Sequence, residues 1–131
     1  MGSIPATFPN STNPSSPAIY DCVWLLRLAE PGINGHAGIA HGGVVAAILD
    51  EVGGDVCNLY KPDRCISMYT VKFDITYKSP VTVPDNYVCV SWLSRKQGRQ
   101  YWVVAQVLDE KGVVKALADI LYIASKTQEK L

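Results

Sequence analysis

Residues 34–56, NGHAGIAHGGVVAAILDEVGGDV, decide how the chain is read. The segment opens with glycines at Gly35 and Gly38, reaches His41, Gly42 and Gly43, and continues as an apolar run that fits a helix. Val45, Ile48, Leu49, Val52 and Val56 recur at helical spacing and form one stripe for burial against a sheet. Glycines at a helix entrance leave backbone N–H groups unengaged and let a ligand approach the main chain closely. Those groups lie at the positive end of the helix dipole, which suits a carbonyl oxygen acquiring negative charge. Asp50 has Ala46, Ala47, Gly53 and Gly54 on the adjoining turns, so its carboxylate stands among small residues. Each glycine inside a helix costs about 1 kcal/mol relative to alanine, so a consecutive pair implies close approach. The plainer reading of these residues alone is a core helix whose Asp50 and Glu51 face water.

Around this segment the chain reads as one domain, its 131 residues being enough for a single core. Twelve basic and twelve acidic residues cancel, so neither nucleic acid nor a membrane surface is expected as a partner. No apolar run is long enough to span a bilayer. The first twenty residues carry no charged side chain, unlike a secretory or transit leader. Cys22, Cys57, Cys65 and Cys89 lack CxxC spacing and are expected as reduced thiols, which points to the cytoplasm. The terminal Glu129-Lys130-Leu131 half-resembles a peroxisomal address without its small first residue.

Residues 1–18, with prolines at 5, 9, 14 and 17, read as an extended or disordered arm, and residues 125–131 as a polar tail. Between them, 19–124 form the domain. A first strand spans 19–28, and the helix runs from about Gly42 to Leu59, stopped by Lys61-Pro62-Asp63. In 67–78, Val71, Phe73, Ile75 and Tyr77 alternate with Thr70, Lys72, Asp74 and Thr76, the period of a strand with one apolar face. Residues 79–86 read as a turn region, 87–94 as a strand, 95–99 as a basic connection, and 100–108 and 113–124 as strands joined by a hairpin turn at 109–112. The fold class is α+β: one long helix on an antiparallel sheet of about five strands. A single helix covers one face only, so a dimer is expected.

Three motifs stand in order along the chain. His41-Gly42-Gly43 is followed, after six residues, by Asp50. Thr70 opens a strand that ends in Tyr77 and Pro80, and Lys96-Gln97-Gly98-Arg99 forms a basic turn. In this pattern residues 19–124 resemble the hotdog-fold acyl-CoA thioesterases, in particular the phenylacetate-pathway and 4-hydroxybenzoyl-CoA group. The resemblance implies hydrolysis of an acyl-CoA or acyl-carrier thioester without a cofactor, CoA being part of the substrate. It also implies a homodimer or dimer of dimers, with each site at a subunit interface. Asp50 takes the role of nucleophile or general base, the Gly42 N–H polarises the carbonyl, and Thr70 steers the water. Gly43, Arg95, Lys96, Gly98 and Arg99 fall to substrate and CoA. The family's Asn or Gln, six residues before the histidine, falls on Gly35 here, with Asn34 one position earlier. Either the loop bulges and Asn34 still reaches the site, or that role is vacant.

Other chemistries fit less well. His41 is either catalytic or holds the loop by a hydrogen bond. His36, His41 and Asp50 lack a metal-ligand spacing, and no G-x-S-x-G elbow is present. A dehydratase or isomerase of the same fold would pair His36 with Asp50, fourteen residues on, although the Phe-Pro-Gly of that motif is missing after His36. A non-catalytic acyl-binding module is the third reading.

Overall fold

The computed structural model describes residues 19–29 and 34–126; the expected arm at 1–18 and the tail beyond 126 lie outside the described residues. The elements are β1 (Cys22–Leu28), β2 (Asn34–His36), β3 (Ile39–Ala40), α1 (Gly42–Tyr60), β4 (Met68–Tyr77), β5 (Asp85–Gln97), β6 (Gln100–Leu108) and β7 (Val114–Ala124). Five of the strands form one antiparallel sheet in the order β1-β5-β6-β7-β4, and β2 pairs with β3 as a small separate hairpin. The helix lies across one face of the larger sheet, which is the hotdog arrangement.

The apolar stripe explains that placement. Val45, Leu49, Val52 and Val56 are buried, with Gly53 and Cys57 beside them and Ile48 half-buried. Each buried aliphatic contributes about 1.5–3 kcal/mol against Tyr101, Val103, Ala105, Ala118 and Ile120 of the sheet. Ser91 adds a polar tie, its Oγ donating to the Val52 carbonyl at 2.8 Å. The helix stops where expected: the Lys61 N–H returns to Cys57, and the Lys61 ammonium donates to the carbonyls of Arg64 and Ile66.

The other face of the sheet is not bare. Tyr20, Val90, Trp92, Leu108 and Val114 form a second buried cluster, fed by the side chains of β5 that point away from the helix. The apolar surface left open is therefore concentrated at the edges, notably β4, where Tyr69, Val71 and Tyr77 are each about half exposed.

Strand β5 is longer than its sequence suggests. Asp85 and Asn86, expected in a turn, and Arg95 to Gln97, expected in a connection, all pair within the sheet. Arg95 stacks 4.0 Å from the centre of the Trp102 ring and the Lys96 ammonium lies 5.1 Å from that of Tyr101, each opposite its cross-strand partner. Those contacts hold the ladder together out to Gly98 and Arg99. Gly98 has φ +59°, the value a two-residue hairpin asks of its first central residue.

Strand β4 carries a bulge. Thr70 faces Tyr122 of β7, while Lys72 faces the adjacent residue, Leu121, so Val71 is an extra residue without a partner. Simple alternation would turn Thr70 away from the helix together with Lys72 and Asp74. The bulge reverses its side chain, so Thr70 and Phe73 both face the helix, and Val71 is left outside.

Candidate active site

The helix entrance is built from its own loop. His41 has extended backbone dihedrals and caps the helix, its Nδ1 accepting the Gly43 N–H at 2.9 Å. This is the loop-holding role considered for His41. The N–H groups of Val44 and Val45 both reach the His41 carbonyl. Among the described residues no hydrogen bond engages the Gly42 N–H, so it is the one amide of the first turn left for a ligand. Gly43 was expected on the substrate side, but its amide belongs to the cap, and a Cβ there would lie 3.2 Å from the His41 ring. Tyr77 reaches over from β4 and donates to the Gly42 carbonyl at 2.6 Å.

The preceding hairpin is anchored by backbone bonds from Ala40 to Val81 and from Val83 to Gly38. Its register shifts between Asn34 and His36, a bulge at Gly35. The side chain of Asn34 lies outside the described part of the structure. His36 is exposed on this hairpin, and neither His36 nor His41 lines the cleft beside Asp50.

Asp50 sits half-buried on the helix, gripped from two strands. Thr70 Oγ1 donates to its Oδ1 at 2.9 Å, and the Tyr122 hydroxyl lies 3.0 Å from the same oxygen and 2.8 Å from the Asp50 carbonyl. Both contacts fall on Oδ1, and Oδ2 has no hydrogen-bond partner among the described residues. Burial raises the Tyr122 phenol well above its ordinary value, and the Asp50 charge and hydrogen bond add to the shift. Tyr122 therefore stays protonated and available as a donor. Glu51, the neighbouring acid, is exposed and makes none of these contacts.

The carboxylate opens on a cleft of about 550 Å³ between the helix, the loop after it and the start of β4. Gly54, Asn58, Arg64, Ser67, Met68 and Tyr69 are among its walls. The basic turn stands at the same end of the sheet: Arg99 donates to the Ala124 carbonyl at 2.9 Å, and Ala124 pairs with Met68. Arg95 is bound to Gln97 at 2.8 Å, and Lys96 reaches the Gly98 carbonyl at 3.3 Å. Among the described residues no group of three or more His, Cys, Asp or Glu side chains forms a metal site, and no helix is long and apolar enough to cross a membrane.

The model of the thioesterase superfamily matches residues 37–116, a span that contains both glycines of the helix entrance, Asp50, Thr70 and the basic turn. The chain belongs to the thioesterase superfamily. No curated protein matches it. Among solved structures, this thioesterase-superfamily chain resembles the BH2602 protein of Bacillus halodurans, solved with CoA, at 23% identity over 77% of this chain and 69% of that one, TM-score 0.69. It resembles the acyl-CoA hydrolase of Staphylococcus aureus, solved with butyryl-CoA, CoA and CoA disulfide, at 20% identity over 83% and 65% of the two chains, TM-score 0.72. A hypothetical thioesterase of Streptococcus pneumoniae, solved with CoA, matches at 15% identity over 82% and 80%, TM-score 0.68. At these identities the likeness is one of fold.

One residue of the candidate site was not singled out from sequence. Tyr122 reads as an ordinary β7 residue, and only its pairing opposite Thr70 brings it to Asp50. Gly53 held the signal. A Cβ there would lie 2.6 Å from the Tyr122 hydroxyl, the close approach that the glycine pair implies.

Proposed function

We propose that the protein hydrolyses an acyl-CoA thioester at a site shared between two copies of the chain. The observation that carries this reading is a distance along one helix. Gly42 and Asp50 are eight residues apart in α1, which at about 1.5 Å per residue separates them by about 12 Å. A single chain therefore cannot bring both to one carbonyl group. Two antiparallel copies of the helix can, because Ala46 lies halfway between them and would sit on the two-fold axis. Gly42 of one copy then opposes Asp50 of the other, and Ala46 and Ala47 are small enough for close helix approach. The exposed apolar residues on the β4 edge supply a further surface for pairing.

In this arrangement the thioester oxygen accepts the Gly42 N–H at the positive helix end, which stabilises the charge that develops on attack. Asp50 of the other copy takes a proton from water through Oδ2, and the hydroxide adds to the carbonyl carbon. Thr70, whose proton is directed to Asp50, keeps lone pairs with which to accept a hydrogen bond from that water. Collapse of the tetrahedral intermediate breaks the carbon–sulfur bond, and the departing thiolate takes the proton that Asp50 accepted, giving free CoA and restoring the carboxylate. Arg95, Lys96 and Arg99 serve the phosphates of CoA. Family membership and relatives solved with CoA support the substrate class. A panel of acyl-CoAs, with thiol release followed at neutral pH, tests the reading. Asp50→Asn should lower the rate by about a hundredfold or more while Glu51→Gln stays near wild type. Equal losses in the two variants would overturn the assignment.

A further inference from the structure

Three features meet at the Asp50 turn of the helix. The Tyr122 ring is buried in the core, 3% exposed, and its hydroxyl reaches both the Asp50 carbonyl and Oδ1. Gly53 leaves room for that hydroxyl, where any Cβ would collide with it. The bulge at Val71 brings Thr70 onto the same carboxylate oxygen from the neighbouring strand. A buried tyrosine must find an acceptor for its proton, and the helix carbonyl alone would meet that need. The second contact, to a carboxylate oxygen already held by Thr70, is not required for packing.

We propose that Tyr122 is a positioning residue for hydrolysis: with Thr70 it holds Oδ1 of Asp50 and so presents Oδ2 to the reacting water. The proposal rests on the hydrolase reading above. A carboxylate on a helix can rotate about its side-chain bonds, and each orientation presents a different oxygen at a different angle. A donor fixed to the core through a ring removes that freedom, and a hydrogen bond to a charged oxygen is stronger than one between neutral groups. The hydroxyl carries one proton for two acceptors, so it forms a three-centre bond that fixes side chain and backbone of Asp50 together.

Tyr122→Phe tests this, since it keeps the ring and deletes the donor. On an acyl-CoA that the wild type hydrolyses, kcat should fall by about ten- to a hundredfold, the scale of one hydrogen bond to a charged group, with KM held within about twofold. In an Asp50→Asn background the same change should have almost no further effect on kcat, because there is no longer a carboxylate to orient. Gly53→Ala, which crowds the hydroxyl without removing it, should reproduce the kcat loss and stands in if the phenylalanine variant does not fold. Unchanged kcat with lowered thermal stability would make Tyr122 a purely structural residue and overturn the proposal, leaving the hydrolase reading intact. Equal fold losses in the wild-type and Asp50→Asn backgrounds would overturn it as well. Absence of thiol release from the wild type across the panel would remove the hydrolase reading and this proposal with it.

Discussion

The hydroxyl of Tyr77 lies 2.6 Å from the carbonyl oxygen of Gly42, so β4 holds the helix at the residue whose N–H has no hydrogen-bond partner among the described residues. A Cβ on Gly42 would stand 3.2 Å from that hydroxyl, which a small shift of the ring can relieve. Alanine and proline at this position separate the roles of space and N–H. His41, with φ −62° and ψ 136°, already has the backbone that precedes proline, and the first helical position tolerates it. Gly42→Ala should keep most of the activity, whereas Gly42→Pro should lower kcat by about a hundredfold or more through loss of the N–H. Circular dichroism unchanged in both, with steady-state kinetics, checks the comparison.

Shared sites predict complementation. If each site takes Gly42 from one copy and Asp50 from the other, Gly42→Pro and Asp50→Asn chains should each be nearly inactive as pure dimers. In a hybrid of the two, one site has both substitutions and the other has neither. Random mixing makes half the dimers hybrid with one working site each, so the mixture should recover about a quarter of wild-type activity. Refolding the two variants together and measuring thiol release checks this. No recovery, with hybrids demonstrated by mass spectrometry, would overturn the shared site.

The basic turn has structural partners for each cation, so its substitution must be read with two substrates. Lys96→Ala with Arg99→Ala should raise KM for acyl-CoA by about tenfold and leave short N-acetylcysteamine thioesters unaffected, because only CoA presents phosphates. An equal loss on both substrates would assign the turn to the fold alone.

Two thiols should weaken the fold in alkali. Burial pushes Cys57 and Cys89 up from 9.0 to about 12. The folded chain then keeps a proton on each thiol that the unfolded chain gives up, so their contribution is complete below about pH 9 and is lost as pH rises toward 12. The buried tyrosines, raised in the same direction, add to the decline above their ordinary 10.0. Denaturant midpoints compared at about pH 8 and about pH 10.5 should fall, and Cys89→Ala should flatten the fall.

How much of this was legible in sequence depends on how local each feature is. The helix and its apolar stripe follow from neighbouring residues at fixed periods, and they stand where the pattern puts them. The bulge at Val71 does not announce itself, since the run from Thr70 to Tyr77 alternates cleanly. Only pairing with β7 shows that one residue is extra and that Thr70 is thereby turned toward Asp50. The extension of β5 was hidden for a related reason: Arg95 and Lys96 look like a solvated turn until Trp102 and Tyr101 are placed opposite. Tyr122 was missed because its partner lies 72 residues away and no short motif contains both.

Gly54 differs from its neighbour. A Cβ at Gly53 would strike the sheet, yet one at Gly54 would meet no atom within 4 Å and would project into the Asp50 cleft. The helix thus carries consecutive glycines for opposite reasons, one because the space is filled and the other because it is empty. If the acyl group of the proposed substrate lies in this cleft, side chains of graded length at position 54 would act as a stop in it, setting how large a group fits beside the carboxylate without disturbing the contacts that hold it.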